Sequence, residues 1–285
     1  MRLSVETHWL REKFNDETAL RMIRAAGFDA FDYSFYWMRP DQDVLGEDYQ
    51  LHARHLRQLA DELGLQCNQA HAPLEFYYTN QMNETDPLYL RIVRSIEFAS
   101  ILGADNIIIH AVPGVSLPAD VDFYAYNRAY YLSFLPYCRR YHISVSVENL
   151  YVQYDPVLGD PMEMQAFVQS LESPYFNICM DLGHSGKTGF DVADSIRKMD
   201  PALLKALHVH DNDKKDDYHW LPYEGQLNWH EIAGALGEIG YQGDFTYEIF
   251  GFLKQQDPGN LQAALNFAEA TGRFIIQKIQ KKRLL

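Results

Sequence analysis

Val145-Ser146-Val147-Glu148 is a strand-like stretch that ends on a potential metal ligand, a carboxylate. The same phrase returns downstream as Ile178-Cys179-Met180-Asp181, Ala206-Leu207-His208 and Phe245-Thr246-Tyr247-Glu248. Roughly one strand plus one helix of chain separates each from the next. In a parallel α/β protein this spacing gathers two Glu, one Asp and one His at the carboxyl ends of neighbouring strands, where such folds build their active sites. A mixed oxygen and nitrogen donor set there suits a divalent cation such as Mn, Mg, Co or Zn.

Outward from these runs the chain alternates short β-type segments with amphipathic helical ones. The expected strands are 2–7, 28–33, 65–70, 106–111, 143–149, 176–181, 204–210 and 244–250. The expected helices lie near 16–26, 47–63, 87–102, 122–141, 161–171, 191–199, 228–239 and 257–279, where apolar residues recur with helical period. Gly27, Gly64, Gly103 and Gly240 close helical stretches. Asp16, Asp86 and Asn228 are expected N-caps, with Pro87 in the favoured first helical position. Eight strand–helix units without a Ser/Gly/Pro linker predict one (β/α)8 TIM barrel occupying 1–285 as a single domain. A doubly wound open sheet would place a Gly-rich phosphate loop after its first strand, and Val5-Glu6-Thr7-His8-Trp9 stands there instead.

The bulk numbers narrow the function. A net charge of −14 repels phosphate backbones and weighs against nonspecific nucleic-acid or anionic-membrane partners. Three scattered cysteines, Cys67, Cys138 and Cys179, make neither a disulfide framework nor a Cys-rich zinc site. No apolar run approaches the ~20 residues of a membrane span, and the first residues enter a strand pattern at once. These features predict a reduced, cytoplasmic chain.

More ligand types stand at strand ends: His71 in Ala70-His71-Ala72-Pro73, His110 in Ile109-His110-Ala111, His184 in Asp181-Leu182-Gly183-His184, and Asp217-Tyr218-His219 beyond the seventh strand. A lone strand-end His is commonly a hydrogen-bonded structural residue, and Asp217 follows a charged loop. The case rests on Glu148, Asp181, His208 and Glu248 recurring at one structural phase of consecutive units. Longer loops after strands two, three and seven would form a wall and lid over these ends. They are rich in rings, Tyr33, Phe35, Tyr36, Trp37, Phe76, Tyr77 and Tyr78, which suit sugar C–H faces.

Val147-Glu148-Asn149, Met180-Asp181-Leu182-Gly183-His184, and His208-Val209-His210-Asp211-Asn212-Asp213 leading to His219-Trp220-Leu221-Pro222-Tyr223-Glu224-Gly225-Gln226-Leu227-Asn228-Trp229 together resemble the xylose isomerase-like TIM barrels. That family includes sugar-phosphate isomerases/epimerases and the AP-endonuclease type, and the resemblance spans nearly the whole chain. The last stretch is similar to a family loop with a Pro-Gly-Glu-Gly core, with Tyr223 in place of the first Gly. The resemblance implies a metal held by Glu148, Asp181, His208 and Glu248. His210 shares its strand face with His208, and the family pattern alone selects between them.

It also implies a sugar or sugar-phosphate isomerase or epimerase working through an enediolate, with Glu148 and Glu248 as acid/base pair. His184 would donate to a substrate oxygen, and Lys214, Trp37 and His71 would bind substrate. The AP-endonuclease branch implies a second reading, a zinc-dependent phosphodiesterase with up to three ions and additional ligands His71, His110, His184, Asp217 and His219. Dehydration of a cyclic polyol of the inosose type is a third outcome of the same acid/base pair. The stretch Phe123-Tyr124-Ala125-Tyr126-Asn127-Arg128-Ala129-Tyr130-Tyr131 carries aromatics on more than one face. Either a homo-oligomer contact or crowded packing in the outer ring would account for it.

Overall fold

The computed structural model describes residues 1–36, 43–74, 78–151 and 158–283. Eight parallel strands appear in the expected order: β1 (Leu3–Glu6), β2 (Ala30–Ser34), β3 (Gln66–His71), β4 (Asn106–Ile109), β5 (Ser144–Glu148), β6 (Phe176–Asp181), β7 (Leu204–His208) and β8 (Phe245–Tyr247). Each pairs with its sequence neighbour, and β8 returns to β1. The last gap closes where Val209 bridges Tyr247, its N–H donating to Thr246 O (2.9 Å) and its carbonyl accepting from Glu248 N–H (3.1 Å). The ring of strands is a TIM barrel.

Strand alternation divides the two faces. Leu3 and Val5 of β1 join the apolar cluster that the outer helices cover, whereas Ser4 and Glu6 are buried on the other face. A hydrogen-bonded plug fills the interior. Ser4 Oγ donates to Asn68 (2.7 Å), Asn68 to Thr246 (2.9 Å), Thr246 to Gln69 (3.2 Å), and Gln69 to Asp32 Oδ2 (2.8 Å). Buried polar groups are tolerated when paired in this way, and the chain of bonds ends beneath His208, whose Nε2 lies 3.3 Å from Asp32 Oδ2.

The outer helices follow their capping signals. Asp86 accepts from the N–H groups of Leu88 and Tyr89 to open α4 (Pro87–Leu102), and Asn228 caps α10 (Trp229–Glu238). Gly64 and Gly103 end α3 (Tyr49–Leu63) and α4 with φ of 66° and 87°, a region that favours glycine. The expected cap at Asp16 is corrected. Asn15 caps α2 (Asp16–Ala26) by accepting from Thr18 N–H (2.8 Å), while Asp16 turns to Arg11, His52 and Tyr33.

The expected helix 122–141 divides at Phe134 into α5 (Phe123–Ser133) and α6 (Leu135–Tyr141), with Pro136 in the first turn of the second. The expected 257–279 helix is α12 (Leu261–Arg283), preceded by the short α11 (Phe250–Lys254). Two other short helices were not foreseen: α1 (His8–Lys13) directly after β1 and α8 (Leu182–Lys187) directly after β6. Each turns a histidine back over the strand ends.

The aromatic stretch of α5 packs inward. Tyr126, Tyr130 and Tyr131 are buried, and the Tyr130 ring meets Phe134 edge-on at 4.9 Å. Tyr124 is exposed. Among the described residues no helix is long and apolar enough to cross a membrane.

Candidate metal centre and cavity

A cavity of about 700 Å3 opens at the carboxyl ends of the strands. Its lining includes His8, Trp9, Glu12, Tyr36, His110, Glu148, Tyr151, His184, Asp217, His219, Glu248, Phe250 and Lys254. Beneath it, ligand atoms converge in three groups, each with its atoms within 4.8 Å of one another: Glu148, Asp181, His208 and Glu248; His71, His110 and Glu148; and His184, His210, Asp217 and His219. Glu148 belongs to two of them.

The strands set these side chains by ending in register, with Glu148 paired to Cys179 and Asp181 to His208. Asn149 fixes Asp181: its Oδ1 accepts from Asp181 N–H (2.8 Å) and its Nδ2 donates to Asp181 O (3.0 Å). Asp181 Oδ1 in turn accepts from His184 N–H (2.6 Å), so the ligand candidate also caps α8. Gly183 is required by its neighbour, since a Cβ there would stand 2.0 Å from His210 Cε1.

The imidazoles are aimed by the main chain. His71 Nδ1 donates to Ala72 O (2.7 Å), His184 Nδ1 to Asn149 O (2.9 Å) and His219 Nδ1 to Glu248 O (2.9 Å). Pinning Nδ1–H to a carbonyl leaves Nε2 for the site, the way metal-binding histidines are oriented. The three Nε2 atoms then face His110 and Glu148 (2.9 and 3.3 Å) in the case of His71, and Asp217 Oδ2 in the cases of His184 (3.3 Å) and His219 (3.1 Å). His208 is presented the other way round, with Nδ1 2.9 Å from Glu148 Oε1 and Nε2 on Asp32.

The electrostatics are those of a cation site. Burial alone would raise the Glu148 and Asp181 carboxyls, but facing imidazoles (His208 and His110 for Glu148, His184 and His210 for Asp181) hold both below the usual range. Glu248 goes the other way. Burial, then the Glu6 and Asp32 carboxylates, push it well above the usual value, and its Oε1 accepts from the Tyr36 hydroxyl. His184 rises to about 10 because Asp181 and Asp217 outweigh its burial, whereas burial and neighbouring imidazoles lower His71 to about 4. Paired Nε2 atoms of His71 and His110 converging on one Glu148 oxygen make an arrangement that a cation stabilises. The residues present therefore fit a divalent metal.

Most of the expected site residues meet at this end of the barrel: Glu148, Asp181, His208, Glu248, His71, His110, His184, Asp217 and His219 all belong to the three groups. His210, outside the expected set, is among them too, with Nε2 3.1 Å from Asp181. Lys214 is exposed at the loop tip with φ 63° and does not line the cavity. Among the described residues, the Lys or Arg that does is Lys254. Trp37, Phe76 and Tyr77 lie outside the described residues. Tyr33 and Phe35 pack in the core against Phe98 (5.1 Å each), and Tyr78 against Tyr126 (5.2 Å).

Trp9, Tyr151 and Phe250 are the rings that sequence reasoning missed, along with His8. The loop resembling Pro-Gly-Glu-Gly is tied by Asp211, which accepts from Tyr223 N–H (3.0 Å), Leu227 N–H (3.1 Å) and Trp229 Nε1 (2.7 Å). Tyr223 adopts φ 79°, the left-handed backbone that a glycine would take more easily.

A family model described as xylose isomerase-like TIM barrel matches residues 20–271. The chain belongs to the xylose isomerase-like TIM barrel family. An uncharacterised protein of Methanocaldococcus jannaschii is 27% identical over 202 residues, 68% of each chain. D-psicose 3-epimerase of Enterocloster bolteae is 32% identical over 108 residues, 38% of this chain and 33% of that one. Among solved structures, a D-psicose 3-epimerase determined in the presence of D-fructose superposes with TM-score 0.75 at 19% identity, covering 97% and 99% of the two chains. An IolI protein with a bound zinc atom gives TM-score 0.75 at 13% identity over 98% and 99%. Sugar epimerases thus recur among the relatives and structural neighbours of this family member.

Proposed function

We propose that this protein is a divalent-metal-dependent sugar isomerase or epimerase that moves a proton at the carbon beside a carbonyl, with Glu148 and Glu248 as the acid/base pair. The observation that carries the reading is that two carboxyls, Glu148 and Glu248, meet in one ligand group at the floor of one sugar-sized cavity. Two carboxyls facing one bound substrate can remove a proton and return one.

Glu148, Asp181, His208 and Glu248 would hold the metal, with His210 beside Asp181. A divalent ion bound there supplies Lewis-acid stabilisation of negative charge developing on substrate oxygens. The protein's own groups do the rest. One glutamate takes the C–H proton and the other returns a proton to the enediolate. Tyr36 fixes the Glu248 oxygen it donates to, and His184, carrying its proton, donates to a substrate oxygen. Trp9, Tyr151 and Phe250 wall the cavity with rings that suit sugar C–H faces.

The experiment is a panel of ketoses and aldoses incubated with Mn-, Co- or Zn-loaded protein in D2O. Deuterium entering the carbon next to the carbonyl, together with an epimer or isomer, supports the reading, and absence of exchange across the panel overturns it. The second reading, a zinc phosphodiesterase, is favoured by one observation, the three groups of ligand-type side chains. The net charge of −14 and a cavity whose lining has Lys254 as its one Lys or Arg among the described residues weigh against a nucleic-acid backbone. Cleavage of abasic-site DNA by zinc-loaded protein would reverse the ranking.

A further inference from the structure

His208 differs from the other histidines of the centre in the nitrogen it turns to the carboxylates. His110, His184, His210 and His219 meet Glu148, Asp217 or Asp181 through Nε2. His208 uses Nδ1, which lies 2.9 Å from Glu148 Oε1 and 3.7 Å from Glu248 Oε2. Its Nε2 is turned across the barrel to Asp32 Oδ2 on β2, 3.3 Å away, and both side chains are fully buried. His210, on the same face of the same run of chain, has no counterpart of this bond. Its Nδ1 is buried and has no hydrogen-bond partner among the described residues.

The Asp32 oxygen is itself held. Gln69 Nε2 donates to the same Oδ2 (2.8 Å), and Thr246 orients the Gln69 amide by donating to its Oε1 (3.2 Å). Asn68 donates to Thr246 and Ser4 to Asn68, so every bond of the row points towards Asp32. A carboxylate only accepts. Its other neighbour, His208 Nε2, is therefore a donor as well. The strand that supplies this row is irregular at that place: Phe31 pairs with Cys67 and Asp32 with Gln69, which makes Asn68 the extra residue of a bulge in β3. In a regular strand Asn68 and Gln69 would face opposite sides. Here both join the interior row, the kind of re-aiming that bulges perform beside functional sites.

We propose that Asp32 is a positioning residue that decides how His208 meets the metal: its carboxylate holds the Nε2–H, so that Nδ1 is the nitrogen offered to the ion. This rests on the metal-dependent reading above and adds what selects the ligand atom. A carboxylate behind a ligating imidazole fixes the tautomer and the ring orientation and raises the basicity of the facing nitrogen. It also separates His208 from His210, since only the first of the two has a bond at its back.

The test uses the full chain, stripped with chelator and reloaded with zinc. Asp32→Leu, which keeps the volume and removes both acceptor oxygens, is expected to weaken zinc binding about 10–100-fold in equilibrium dialysis. Asp32→Asn keeps one acceptor oxygen for the Nε2–H and should recover part of that loss. The nitrogen itself is read on the wild type, whatever the variants' folding, by long-range 1H–15N NMR of ring-labelled histidines with and without zinc. Zinc should leave the His208 ring, assigned by its absence in His208→Gln, with its proton on Nε2 and none on Nδ1. A zinc-bound His208 carrying its proton on Nδ1, or an unchanged zinc affinity in Asp32→Leu, overturns the proposal and leaves the metal-dependent reading intact. A wild type that binds no zinc overturns both.

Discussion

Two walls of the same cavity treat their histidines in opposite ways. On the β3–β7 side, His71, His110, His184, His208, His210 and His219 each place a ring nitrogen against a carboxylate, Glu148, Asp181 or Asp217, at 3.3 Å or less. On the β1 side, among the described residues, the His8 ring meets a carboxylate only at Glu12 Oε2, 3.5 Å away, and Glu6 Oε1 and Asp32 Oδ1 beneath it have no hydrogen-bond partner. The first wall is crowded with charge that a cation can organise. The second is held by rings and by the bond that His8 N–H gives Glu6.

The sharpest way to break that division is Glu148→Ala. Because Glu148 serves two ligand groups, its removal should cost activity by about 10^3-fold or more and should lower metal content measured by elemental analysis. Retained metal and activity would show that the crowded wall is not a metal centre. Next comes Gly183→Ala, where the new Cβ would meet the His210 ring at 2.0 Å. The ring must shift, and metal affinity measured by competition with a chelating dye should fall about 10–100-fold while the fold persists. An unchanged affinity would remove His210 from the ligand set.

Two stability measurements sharpen the contrast between paired and unpaired buried acids. Asp16 is paired: burial would raise it, but Arg11 and His52 hold its carboxyl near 2. A depressed folded value stabilises the fold above the unfolded carboxyl value, near 4, and the benefit is lost as pH falls towards 2. Asp16→Asn should therefore cost about 2–3 kcal/mol at pH 7 and flatten the denaturation profile between pH 4 and 2. Glu6 is the opposite case, since burial chiefly raises it to about 8. Its contribution is full below about 4 and declines as pH rises through 8, so Glu6→Gln should raise the melting temperature of metal-free protein at pH 8 by roughly 2–4 °C. No gain at that pH would mean that the β1 wall is better satisfied than its geometry shows.

Sequence alone carried the barrel and most of the first wall. Period-2 runs ending in Glu148, Asp181, His208 and Glu248 are local signals, and parallel register converts them into a cluster without further information. The second wall was not legible for an equally physical reason. His8 and Trp9 lie on a one-and-a-half-turn helix, too short to leave a periodic signature, and the wall they line takes shape only as Tyr36 and Phe250 arrive from distant segments. The choice between His208 and His210 was equally hidden, because both point to one strand face and both reach the ligand cluster. Lys214 looked like a substrate cation by its position after His208, yet a turn held by Asn212, whose Oδ1 accepts from Lys214 N–H, leaves it in solvent. Asp16 looked like a cap because Asp is a strong capping type. Arg11, buried one helix earlier, claims its carboxylate instead.

The measurement that most directly tests the account is the binding of Mn, Co or Zn to chelator-stripped protein, followed by equilibrium dialysis with elemental analysis. At least one tightly held ion per chain is expected, and its loss in Glu148→Ala. A folded wild type that binds none of these ions at micromolar concentration would contradict it.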